Sequence, residues 1–128
     1  MWSKGDVAAA HALYAQDFVS HQHSHPGGPR DVRGRQALIE FMQEFRRAFP
    51  DFHDTVQSQV AEGDLVATRY TSAGTHKGPL MGFEPAGKRA SWMGLVIDRI
   101  ADGKIAESWV SWDMIGMLQE IGVVARFR

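Results

Sequence analysis

A change of hydrophobic period at Pro50 constrains this chain more than any other feature. Before it, Leu38, Phe41, Met42, Phe45 and Phe49 recur at helical spacing, with Glu40, Gln43, Glu44 and Arg47 opposite. Proline cannot continue a helix, so the helix that starts near Gly34 or Arg35 stops there. After it the period is two. Val56, Ser58 and Val60 alternate with Gln57, Gln59 and Ala61, and Glu62-Gly63-Asp64 turns the chain. Leu65 to Thr75 and Arg89 to Ile100 read as further strands, joined by the glycine- and proline-rich stretch Lys77 to Lys88. Asp102-Gly103 is a hairpin turn into a strand from Ile105 to Trp112. Upstream, Lys4 to Gln16 predicts a helix with Ser3 as N-cap, Phe18 to His21 is extended, and His21 to Pro29 is a loop. Asp113 to Gln119 predicts a short closing helix stopped at Gly122. Helices followed by strands predict an α+β domain, in which a curved antiparallel sheet and its helices enclose a pocket.

At 128 residues the chain is one domain, 1–128, large enough for a core without staples. It has no cysteine, which excludes disulfides, thiol nucleophiles and iron–sulfur clusters. A formal net charge of −1 argues against a nucleic-acid partner. No apolar run approaches membrane-spanning length, and Val7 to Ala15, interrupted by His11 and Tyr14, is a helix rather than a signal-peptide core. The cysteine usage gives a cytoplasmic location as the default expectation. Seven Phe, four Trp and two Tyr either fill a core or line a pocket for a flat apolar ligand.

The ordered motifs carry a family likeness. Trp2-Ser3-Lys4-Gly5-Asp6, Leu13-Tyr14-Ala15-Gln16-Asp17-Phe18-Val19-Ser20-His21 and Phe49-Pro50-Asp51 open it. Gly74-Thr75-His76-Lys77-Gly78 and Pro85-Ala86-Gly87-Lys88 follow. Arg99-Ile100-Ala101-Asp102-Gly103-Lys104-Ile105, Glu107-Ser108-Trp109, Trp112-Asp113 and Gly116 to Gly122 complete it. The chain resembles the SnoaL-like polyketide cyclases (ester cyclases) of the NTF2-like superfamily. The resemblance implies a cone-shaped α+β barrel, usually dimeric, around a mostly apolar cavity, with cofactor-free cyclases among its members. The family normally carries a helix before the Trp-x-x-Gly-Asp signature. This chain begins at the signature, so either its start is misplaced or the helix is missing and the cavity mouth more open.

The resemblance places the acid/base aspartate of the cyclases at Asp113. Apolar surroundings would lift its pKa for removing a proton beside a carbonyl. The alternative is that Asp113 only N-caps the closing helix. Asp113, Ser111, Trp109 and Glu107 share one strand face. A two-residue turn at Asp102-Gly103 would add Trp92, Gly94, Val96 and Asp98 to that face. A three-residue turn with a bulge at Gly103 would add Ser91, Met93, Leu95, Ile97 and Arg99 instead. The second is preferred, because it sets Met93, Leu95, Ile97 and Trp109 around Asp113 and matches the family's polar helper at Arg99. Arg99 would either steady an enolate oxygen or pair with Glu107 to hold the sheet.

His76 at a strand end would donate a hydrogen bond to substrate or bond the neighbouring loop. His21, His23 and His25 alternate, but no carboxylate completes a zinc site. His21 alone is expected to line the cavity or tie down the loop. The helical stripe is core whose end, at Phe45, touches ligand. Trp2 and exposed strand faces are candidate dimer contacts.

These residues predict a cofactor- and metal-independent enzyme using an aspartate general acid/base on a hydrophobic, carbonyl-bearing ring compound, of cyclase or isomerase type. The rival is a non-catalytic binding protein for a steroid- or polyketide-like ligand. A homodimer is expected, with no nucleic-acid or membrane partner.

Overall fold

The computed structural model describes residues 2–24, 30–80 and 82–123. Helix α1 (Val7–Leu13) is capped by Asp6, whose side chain accepts from the Ala9 amide at 3.2 Å. Ser3 is not the cap. Its hydroxyl accepts from the Asp54 amide at 2.9 Å instead and ties the start of the chain to the sheet. The helix also ends earlier than expected. Tyr14 turns extended, and strand β1 runs Tyr14–Gln22. Alternation explains the change: Tyr14, Phe18, Ser20 and Gln22 all point to one side, toward the cavity.

Strand β2 (Arg30–Arg33) was not foreseen, and helix α2 (Arg35–Ala48) follows it. Gly34 sits between them at φ 88°, a conformation that favours glycine, and donates its amide to the Phe18 carbonyl at 2.6 Å. The remaining strands are β3 (His53–Glu62), β4 (Leu65–Thr75), β5 (Arg89–Ala101) and β6 (Lys104–Trp112), and helix α3 (Met114–Glu120) closes the described chain. The expected strands are all present, within a few residues. No described helix is long and apolar enough to cross a membrane.

The six strands form one curved sheet in the order β2-β1-β6-β5-β4-β3. It is mixed rather than wholly antiparallel, because β1 pairs in parallel with β6. The first strand and the last are brought side by side by the long excursion between them, a pairing that local periodicity does not encode.

The β5–β6 hairpin turns through Asp102 (φ 52°) and Gly103 (φ 74°), with Ala101 opposite Lys104, so the loop has two residues rather than three. One step further the register shifts: Ile100 faces Ile105, but Arg99 faces Glu107, leaving Ala106 as a bulge. The bulge restores the parity that the turn would otherwise have reversed. Ile97 therefore stands opposite Trp109, as preferred from the sequence.

Two apolar clusters hold the helices to the concave face. Phe45, Phe49, Phe52, Trp92, Met117, Leu118 and Ile121 form the larger, beneath α3 and the end of α2. Phe18, Val32 and Leu38 form the smaller, and Trp2 packs against both. Each fully buried Phe or Leu side chain contributes about 1.5–3 kcal/mol.

Candidate functional site

Where the two clusters meet, the sheet and α2 leave a cavity of about 320 Å³. Its walls are aromatic. Trp2 lies edge-on to Phe41 at 5.9 Å, and Trp92 and Trp112 stand 5.8 Å apart with Phe45 6.0 Å from each. The inward residues of β5 are Trp92, Val96 and Asp98; those of β6 are Ser108, Val110 and Trp112. No lysine, arginine or histidine is among the described residues of its lining.

Two carboxylates face this interior. Asp98 accepts a short hydrogen bond from the Ser108 hydroxyl directly across the strand pair. Burial raises its pKa, against the opposing pull of that serine. Asp54 accepts from the Ser72 hydroxyl at 2.5 Å and is raised by the same cause. Two phenols line the same cavity. Tyr14 is pushed up to about 12, mainly by burial and then by the charge of Asp98, while a hydrogen bond with the Trp2 side chain opposes the shift. Tyr70 is also raised, by burial and then by Asp54. The arrangement suits a flat apolar molecule bearing uncharged polar groups. It sets beside that molecule a base whose ionised form is poorly solvated.

The structure brings few of the sequence-predicted site residues to this cavity. Phe45 lines it. Asp113 does not: it is exposed and N-caps α3, its Oδ1 accepting from the Gly116 amide at 2.8 Å. Met93, Leu95 and Ile97 share a face with Trp109, as expected, but that face is the convex one, where they are 47%, 54% and 42% exposed. The parity was right and the side was wrong, since pairing alone does not say which face the helices cover.

Arg99 lies on the convex face and pairs with Glu107 at 3.2 Å. Glu107 also meets His21 Nε2 at 2.7 Å, and His21 Nδ1 meets Asp31 at 2.8 Å, so His21 ties β1 to β2 and β6 outside the cavity. Its ring stacks on Trp109 at 5.6 Å. His76 is fully buried. Its Nδ1 accepts from the Ala86 amide at 3.3 Å, which is the loop-bonding alternative, and it is not a cavity residue. Trp2, expected at a dimer contact, belongs to the cavity wall. Among the described residues no group of three or more His, Asp or Glu could hold a metal; His25 lies outside them.

Asp98, Asp54, Tyr14 and Tyr70 line the cavity and are not among the residues expected from the sequence. One signal was available. Asp98 alternates with Trp92, Gly94 and Val96, and an acidic residue in register with a tryptophan and a valine belongs to an inward face if that face is covered.

A six-stranded curved sheet wrapped around a cavity with helices on its concave side is a ketosteroid-isomerase-like (NTF2-like) fold. A protein of that fold from Catenulispora acidiphila, solved in complex with trimethylamine, superposes with a TM-score of 0.80 at 18% identity, covering 99% of this chain and 90% of that one. Within that class, the chain belongs to the SnoaL-like polyketide cyclase family, whose model matches residues 1–121. IdmH from Streptomyces antibioticus, a proposed polyketide cyclase, is 35% identical with a TM-score of 0.79, covering 94% of this chain and 90% of that one. AclR from Streptomyces galilaeus, a proposed hydroxylase, is 30% identical with a TM-score of 0.83, covering 99% of this chain and 77% of that one. No curated protein matches the chain.

Proposed function

We propose that this protein is a cofactor-independent enzyme that moves a proton beside a carbonyl on a hydrophobic ring compound, in the manner of a cyclase or isomerase. The observation that carries the reading is Asp98, a carboxylate with a raised pKa and a single serine partner, inside an aromatic-lined cavity. Ionised Asp98 takes the α-proton and becomes the neutral acid. The C–H electron pair moves onto the carbonyl oxygen as an enolate. Asp98 then returns the proton to carbon. A raised pKa makes the carboxylate a stronger base at neutral pH. Asp113, held by its cap bond in solvent, lacks these surroundings.

Exchange of the α-protons of 2-tetralone in deuterium oxide, followed by proton NMR, tests this. Wild-type protein is expected to speed exchange over buffer, and Asp98→Asn to abolish the gain while still binding the ketone. Binding without accelerated exchange in the wild type would leave a ligand-binding protein as the better reading.

The assembly follows from the convex face. Met93, Leu95 and Ile97 are exposed side by side along β5. An unpartnered apolar row in the middle of a sheet supports a homodimer through that face.

A further inference from the structure

Tyr70 on β4 pairs with Gly94 on β5. A β-carbon at position 94 would overlap the Tyr70 hydroxyl oxygen and Cζ and stand 2.9 Å from Cε1. The phenol therefore lies across β5 in space that only glycine leaves open. Gly94 has no positive φ, so its backbone does not demand glycine; the room for Tyr70 does. On either side along β5, Trp92 and Val96 face the same cavity.

The hydroxyls around it are differently engaged. Ser72 and Ser108 give theirs to Asp54 and Asp98, while the Tyr14 oxygen accepts from the Trp2 side chain and the Ser20 oxygen from Gln22. No described group hydrogen-bonds the Tyr70 hydroxyl. Burial and the Asp54 charge keep it protonated, hence a donor, at any physiological pH. It stands in a cavity whose described lining holds two carboxylates and no cation.

We propose that Tyr70 is the donor that binds the ligand's oxygen, that Gly94 is the positioning residue that lets it reach, and that the site therefore takes uncharged ring ketones and phenols in preference to carboxylates. A neutral oxygen gains a hydrogen bond there. A carboxylate meets Asp54 and Asp98 with no arginine or lysine to offset them. This names the substrate class for the acid/base reading above and rests on the same cavity. In that reaction Tyr70 would stabilise the enolate oxygen as Asp98 takes the proton.

The test is equilibrium binding to the full chain of 2-naphthol, naphthalene and 2-naphthoate, three probes that share a ring system. Wild-type protein is expected to bind 2-naphthol about tenfold tighter than naphthalene, the scale of one hydrogen bond, and 2-naphthoate weakest. Tyr70→Phe should erase the 2-naphthol advantage while leaving naphthalene unchanged. Gly94→Ala should erase it too, and the double variant should lose no more than either single one. If Gly94→Ala does not fold by circular dichroism, the Tyr70→Phe comparison decides alone. A 2-naphthol advantage that survives Tyr70→Phe, an equal loss for naphthalene, tightest binding of 2-naphthoate, or no binding of any probe overturns the proposal. The binding contrast needs no turnover. If it holds while 2-tetralone exchange is not accelerated, the oxygen subsite stands and the acid/base reading falls.

Discussion

One residue separates Asp98 from Arg99, and the sheet separates their circumstances. On the concave side Asp98 meets one serine hydroxyl and a wall of rings, and burial raises its pKa. On the convex side Arg99 begins a chain of charges that runs through Glu107, His21 and Asp31 to Arg33 across four strands. There the carboxylates are lowered, both chiefly by hydrogen bonds with His21. The same strands thus carry isolated charges inward and paired charges outward. Isolation leaves a group reactive at some expense in stability, whereas pairing in reach of solvent gives little of either. The lesson is that a charge's usefulness here follows from the side of the sheet it occupies.

The sharpest way to break this contrast is Asp98→Asn. On the acid/base proposal, this substitution should slow 2-tetralone exchange by about 10²- to 10⁴-fold. Stability should move the other way or not at all. A folded-state pKa above the unfolded one means that the ionised carboxylate is a burden at neutral pH, relieved as pH falls through the raised value. The amide has no such charge. A melting temperature at pH 7 that falls by many degrees would show Asp98 to be structural.

The convex face gives the next largest effect. Leu95→Glu places a charge in the middle of the exposed row Met93, Leu95 and Ile97. Sedimentation at about 10 μM, a concentration chosen for a moderate interface, should show a dimer for the wild type and a monomer for the variant. A wild-type monomer would remove the dimer altogether.

Much of this architecture was legible in the residues. The stripe from Leu38 to Phe49 and the stop at Pro50 gave α2 because periodicity and proline act locally. Asp102-Gly103 marked its hairpin for the same reason. Two things were not local. The parallel union of β1 with β6 joins the ends of the chain, and the covered face of the sheet depends on where α2 and α3 settle. That second point decides which residues line the cavity. Trp109 and Trp112 look alike in the sequence, yet one stacks on His21 outside while the other walls the cavity. Asp113 illustrates the same limit: its cap geometry was foreseen as an alternative, and the structure adopts it.

Asp113 therefore offers a smaller, cleaner contrast with Asp98. Asp113→Ala removes the cap bond to Gly116 and should cost about 1 kcal/mol in denaturant unfolding. Asp113→Asn keeps an acceptor and should cost less. Both should leave the exchange rate within about twofold, since a surface cap takes no part in the proton transfer. A loss of exchange comparable to that of Asp98→Asn would return the acid/base role to Asp113.

The smallest expected effect is the pH dependence of the convex network, and its sign is definite. His21 is raised above its ordinary value, first by Glu107 and then by Asp31. A raised folded-state value means that its contribution is complete below about pH 6.5, the unfolded value, and is lost as pH rises through the folded one. Asp31 and Glu107 are lowered, so theirs is complete above the ordinary carboxylate range and is lost as pH falls. The network is strongest between about pH 5 and 6.5, where both conditions hold. Wild-type protein should lose more thermal stability between pH 6 and pH 8 than His21→Gln does. The difference between the two curves isolates His21 from the other histidines. Because solvent reaches all three groups, it should amount to a small displacement of the melting temperature that shrinks with added salt. Parallel curves would mean that the convex charges, although well placed in distance, are as silent in stability as any exposed ion pair.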